Sequence, residues 1–226
     1  RPDQTESRSI TPVNQMQMEI GFVYEKTALE LNNFTHPNIL TKFGISNRLE
    51  LRLVTDIGTY SLNTQGKKIQ QTTLNPTLIG CKVNIFQEKN YLPKTSLILH
   101  VGLPAIASKE YTDNNVFNTF RFLMQHTLNE KVSLSYNLGI EWDGSTPNAT
   151  GIYTLALGYA LSKKLGSFIE LYGFATQYVA TMHQYDMGFT YLLSKDMQFD
   201  VSGGIGLNKI APDYFVSCGF SFRTGH

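Results

Sequence analysis

The sequence has no run of about 18 apolar residues, the length a helical membrane span needs, so helical spans are excluded. Charge is scarce. Asp, Glu, Lys and Arg make up 16% of the chain, against about 25% in an ordinary soluble domain. The net charge of +1 gives no electrostatic argument for a nucleic-acid partner. Cysteine is limited to Cys81 and Cys218. Each falls on the apolar face of a different expected strand, far apart in strand order. Two packed or lipid-facing thiols are the favoured reading, and a disulfide of an exported protein is the other. Two cysteines without a histidine cluster are too few for zinc, and no cofactor is expected. There is no phosphate loop and no nucleophile elbow. No stretch is rich enough in proline, serine or polar residues to be a linker. No signal peptide is visible, and the chain begins at Arg1 without a methionine, as a processed or trimmed N-terminus would.

What the sequence has is a period of two. From Thr181 to Leu193 the odd positions include Met187, Phe189, Tyr191 and Leu193. The even ones include Gln184, Asp186, Gly188 and Thr190. Ser194, Lys195 and Asp196 interrupt the pattern. It then resumes in phase, with Met197, Phe199, Val201 and Ile205 against Gln198, Asp200, Ser202 and Gly204. This is a hairpin with arms of about eleven residues. Such strands are long for a soluble sheet and suit a tilted membrane crossing.

The same alternation recurs along the chain. It predicts an all-β fold: a transmembrane antiparallel β-barrel of about 12 strands over residues 15–226, preceded by a polar leader at 1–14 that lies in the lumen or the periplasm. Four connections share one design: Ile45–Leu49, Leu128–Val132, Leu161–Leu165 and Leu193–Met197 each hold three polar residues between two apolar ones. The expected pairing sets Leu193 opposite Met197. The other connections, at 27–37, 63–75, 104–115, 143–150, 176–180 and 208–213, are mostly longer and are expected to be loops. Short turns at one end and longer loops at the other make the turns periplasmic and the loops extracellular. An even strand number places both termini on the periplasmic side. Aromatic residues near strand ends, among them Tyr24, Tyr60, Trp142, Tyr153 and Tyr214, form an interfacial girdle. A soluble barrel needs the alternation, but not the sorting of turns or the girdle.

These residues also carry a resemblance. RPDQTES at 1–7, the strand QMQMEIGFVYEK and the segment LTKFGISNRLELRL resemble the outer-membrane transporter family labelled for meta-pathway phenol degradation, its Bacteroidota members most. The resemblance implies an outer-membrane barrel that passes small or aromatic molecules, and it supplies no catalytic residues.

The face opposite the apolar one collects Glu19, Lys42, Glu50, Arg52, Asp56, Lys82, His100, Arg121, Glu141, Glu170, Asp186, Asp200 and Arg223. These are the expected lumen-lining residues. Acids and bases are mixed, so opposite charges pair around a narrow or plugged channel, or else select solutes in an open one. Arg1, Asp3, Glu6 and Arg8 of the leader are candidates to pair with them. The expected function is a channel for small solutes, aromatic or hydrophobic ones included, and not an enzyme. The expected partners are outer-membrane lipids and other outer-membrane proteins. A non-transporting accessory barrel is the alternative, with Asn118, Thr41 and Gly173 as breaks in the lipid face. A lipid-modifying site is a weaker one: His126 and His183 lie on apolar faces without a serine at their depth. The alternation predicts a protein that needs detergent, has sheet-rich circular dichroism and runs with heat-modifiable mobility on gels. A monodisperse protein in plain buffer contradicts it.

Overall fold

The computed structural model describes residues 4–6, 9–27, 31–64, 67–111 and 115–224. Thirteen strands form one antiparallel sheet: β1 (Met16–Lys26), β2 (Leu31–Ser46), β3 (Leu49–Thr64), β4 (Lys67–Leu74), β5 (Thr77–Phe86), β6 (Lys94–Leu103), β7 (Phe117–Thr127), β8 (Val132–Glu141), β9 (Thr150–Ala160), β10 (Leu165–Thr176), β11 (Met182–Ser194), β12 (Met197–Gly206) and β13 (Tyr214–Thr224). Each strand pairs with its neighbours in the chain, except that β5 pairs with β3 and not with β4, and β1 pairs with β13, so the sheet closes on itself. Closure leaves no open sheet edge within the membrane.

The thirteen strands make twelve staves. β5 pairs with the lower half of β3, Leu49–Val54, and β4 pairs with the upper half, Ile57–Thr64, on the same edge. The two are one long strand broken at Asn75-Pro76, where proline has no amide hydrogen for the ladder. The Asn75 amide still donates to the Asp56 carbonyl at 2.9 Å.

Polarity is inverted relative to a soluble protein. Among the described residues nine hydrophobic side chains are buried, against twenty polar or charged ones. The outward row holds Phe22, Leu51, Leu53, Ile79, Phe120, Phe122, Leu155, Ile169, Phe189 and Val201, all exposed. In water such a surface would be untenable as a single patch; in hydrocarbon it is the required one. Cys81 and Cys218 are free thiols. Tyr24 and Tyr214 have ring centroids 6.3 Å apart, and Phe120 meets Trp142 edge-on at 6.2 Å. Gly173 has a specific reason to be small: a Cβ there would lie 2.6 Å from the Tyr153 ring, which crosses the glycine to reach His183.

Two expectations need correction. The segments 27–37 and 63–75 are not plain loops. Most of the first is the start of β2, and most of the second is β4. β2 and β3 have 16 residues each. At about 3.3 Å per residue that is roughly 50 Å, well beyond a hydrocarbon core of about 30 Å. The excess stands in water with polar residues on both faces, so it carried no hydrophobic alternation to read. The turns also differ. Ser46 pairs with Leu49 and Ser194 with Met197 across two-residue turns, each with a bulge, so Leu193 does not pair with Met197. The Ser46, Ser162 and Ser194 hydroxyls and the Asn129 side-chain oxygen accept backbone N–H groups of their turns at 2.8–3.2 Å. These side chains replace the ladder bonds that the turn loses.

The fold predicts opposite labelling at its two ends. Lys67→Cys, at the long hairpin, reacts on intact cells with an impermeant thiol reagent, and Lys195→Cys, at a tight turn, does not. The reverse pattern would show the barrel to be inverted in the membrane.

Candidate functional site

A strand alternates its side chains, so Glu50 and Arg52 of β3 point to the same side, inward. Lys42 of β2 faces Arg52 across the ladder, and Lys82 of β5 faces Glu50. With Glu19 of β1 they form one buried cluster of three cations and two carboxylates. Lys42 pairs with Glu19. Arg52 Nη1 donates to Glu50 Oε1 at 3.2 Å.

The leader runs through this cluster. Glu6 pairs with Arg52 Nη2 and lies 3.9 Å from Lys82 Nζ. Lys82 Nζ also donates to the Ser9 carbonyl at 3.1 Å. Glu50 Oε2 accepts the Thr11 amide at 2.7 Å and the Thr11 hydroxyl at 2.8 Å. On the opposite wall, Glu170 of β10 accepts the Gln4 amide at 2.8 Å and the Thr5 hydroxyl at 2.5 Å. Thr154 Oγ1 is 2.6 Å from Thr5 Oγ1. Arg121 Nη1 reaches the Gln4 carbonyl at 3.4 Å. Burial alone would raise the pKa of Glu6. Arg52, Lys82 and Lys42 outweigh it and hold the carboxyl well below its ordinary value of 4.5. Of the leader residues expected to pair, Arg1, Asp3 and Arg8 lie outside the described residues.

Lower down, the leader joins the barrel through its backbone. The Asn14 amide donates to the Gly44 carbonyl at 2.9 Å, and the Gly44 amide donates to Gln15 O at 3.1 Å. A Cβ at Gly44 would lie 2.1 Å from Pro12 O and 2.3 Å from Thr11 O. Glycine is what allows the leader to lie against β2 there.

Two cavities flank the leader. The inner one, about 660 Å³, is lined by Glu6, Ser9, Glu19, Lys42, Phe168 and Arg223 among others. The outer one, about 390 Å³, is lined by Gln4, Glu6, Arg52, His100, Arg121 and Tyr172 among others, with Asp56, Asp186 and Phe215. Gln4–Glu6 therefore stand at the boundary between an outer and an inner vestibule. Of the remaining sequence candidates, Asp200 is buried, Glu141 is half-buried beside the extracellular end, and Arg223 binds Asp196 of a tight turn at 2.9 Å. Thr5, Thr11 and Thr154 were not among the candidates, and hydroxyls on an inward face give no signal that singles them out. The two outward histidines pair with tyrosines: Tyr153 Oη is 2.5 Å from His183 Nδ1, and Tyr136 Oη is 3.3 Å from His126 Nε2.

The family described as "Putative MetA-pathway of phenol degradation" matches residues 1–224. The chain belongs to this family. Similar solved structures agree on the barrel fold. An outer membrane channel from Pseudomonas putida F1 superposes with a TM-score of 0.77 at 11% identity, covering 99% of both chains. The KdgM porin gives 0.58 at 12% identity, over 92% of this chain and 99% of its own. The CymD monoaromatic hydrocarbon channel gives 0.53 at 7% identity, over 96% and 89%. No protein with a curated description matches the sequence.

The Gly44 contact makes a prediction. Gly44→Ala forces the leader away from β2 at a cost of about 1–3 kcal/mol, roughly 5- to 150-fold in the docking equilibrium. Amide exchange at Thr11 to Gln15 accelerates accordingly in mass spectrometry, while the barrel keeps its heat-modifiable mobility. Unchanged exchange would show that the leader does not depend on this crossing.

Proposed function

We propose that the protein is an outer-membrane channel for small solutes, closed at rest by its own leader. The observation that carries this reading is the seat of Glu6 on Arg52, at the boundary between the two vestibules. A leader held by hydrogen bonds and ion pairs can exchange those partners for water or solute. An apolar plug could not do so without exposing its apolar surface to water. Membership of the family and the likeness of the fold to channels and porins support passage over catalysis. The monoaromatic hydrocarbon channel among those likenesses supports small aromatic solutes as cargo, and Tyr172 and Phe215 in the outer vestibule suit them. The apolar outer face with its interfacial aromatics meets outer-membrane lipids.

Deleting residues 1–14 raises conductance in planar bilayers several-fold over that of the intact protein. Arg121→Ala in the deleted form shifts ion selectivity towards cations, because the outer vestibule loses positive charge. A large conductance in the untouched protein would remove the plug and make general diffusion the better account. Acid also opens the channel. Glu6 is held below 4.5 when docked, so docking keeps its full strength above that pH. It weakens only as the pH falls further and the carboxylate protonates. Conductance flat down to pH 3 would contradict this.

A further inference from the structure

The seat of Glu6 is itself a binding site. The Arg52 side chain is fully buried, and its guanidinium has two edges. Nη1 is met by Glu50, from the wall of the barrel. Among the described residues, Nη2 is met by Glu6 alone, from the leader. Nε, which shares an edge with Nη2, is buried without a hydrogen-bond partner among the described residues. A carboxylate lying side-on to arginine places one oxygen on Nε and the other on Nη2, two parallel charge-assisted bonds in the geometry that guanidinium favours. Glu6 makes one of these bonds and leaves the other donor unmet. The anchoring of the leader at Thr5, Thr11 and Gln15 restrains where its carboxylate can lie. A free carboxylate is not so restrained.

Arg52 opens onto the outer vestibule, which also holds the Arg121 and His100 side chains. Gly80 lies between Arg52 and His100 in the ladder, and it lets the imidazole approach: a Cβ at Gly80 would be 2.3 Å from His100 Cδ2. Among the described residues, Arg121 makes one long bond, to the Gln4 carbonyl. Tyr172 and Phe215 supply buried aromatic surface to the same cavity, and about 390 Å³ is room for one ring and its substituent. Acids line the cavity too, in Glu25, Asp56 and Asp186. The Asp56 carboxylate accepts from Asn38.

We propose that the Nε/Nη2 edge of Arg52 is a binding site for small aromatic monocarboxylates entering from the outer vestibule. The ring lies against Tyr172 and Phe215, and the solute displaces Glu6 and so loosens the leader. This rests on the reading of the protein as a leader-closed channel and adds the ligand that opens it. Glu6 is then a built-in competitor for the site.

The test is single-channel recording on the full chain at constant ionic strength, with benzoate or its neutral isostere benzamide added on the face that carries the long hairpin. Benzoate raises the open fraction several-fold and saturates; benzamide does not. In Glu6→Gln the leader no longer competes as an anion, so that channel is already more open and benzoate opens it no further. Titration calorimetry gives a second readout: benzoate binds the protein lacking residues 1–14 several-fold more tightly than the intact one. Equal responses to the two compounds, or no response to either, overturn the carboxylate site. If deletion of residues 1–14 still raises conductance in that case, the leader plug stands without it. If deletion changes nothing, the plug itself is wrong.

Discussion

A backbone amide or carbonyl facing hydrocarbon without a partner costs several kcal/mol, and the architecture follows from avoiding that cost. Closing the sheet, with β1 bonded to both β2 and β13, satisfies the ladder all the way round. Once closed, the sheet has an outer face that must be apolar and an inner face that is free to be polar. The alternation along each strand is the record of that division. Lys42, Glu50, Arg52 and Lys82 lie on the inner face for the same reason that Leu51, Leu53 and Ile79 lie on the outer one.

The inner face then sets its own requirement. Charges withdrawn from water need partners or they destabilise the fold. The wall meets part of that need by itself, with Glu19 on Lys42 and Glu50 on Arg52. The leader meets more of it. Glu6 takes the second edge of Arg52, and the two wall carboxylates Glu50 and Glu170 take backbone amides of the leader. The leader is thus held as an extended polar ligand by groups spaced around the circumference. None of its described contacts is a large apolar side chain packed into a pocket, which is consistent with a plug that can leave.

Much of the barrel was legible in the chain because lipid outside and water inside impose a strict period of two. The membrane strands, the sorting of turns and loops, and the inward row from Glu19 to Glu170 could all be read from it. What was not legible lies where that contrast ends. The upper parts of β2 and β3, and all of β4, stand in water on both faces, so their polar sequences resembled loops. Leu128–Val132 and Leu161–Leu165 keep the three-residue link that their pattern predicts, whereas the turns after Ser46 and Ser194 are one residue shorter, because a bulge set by a serine hydroxyl bonding to the backbone leaves no periodic signal. Glu6 could be proposed as a partner for the lumen by charge. Thr5, Thr11 and Gly44 could not, because hydroxyl bonds to residues 39 to 165 positions away and a glycine that admits a crossing chain leave no local pattern.

The central claim is that the leader seated in the lumen closes the channel. Thr5 and Thr154 have their hydroxyl oxygens 2.6 Å apart across the leader–wall contact. Thr5→Cys with Thr154→Cys, in a protein whose Cys81 and Cys218 are replaced by serine, places two thiols within disulfide reach. Conductance recorded before and after reduction in the same bilayer measures the claim directly. The account predicts a cross-link that forms in the folded barrel, a low conductance while it is oxidised, and a rise on reduction. A cross-linked protein that conducts as well as the reduced one would contradict it.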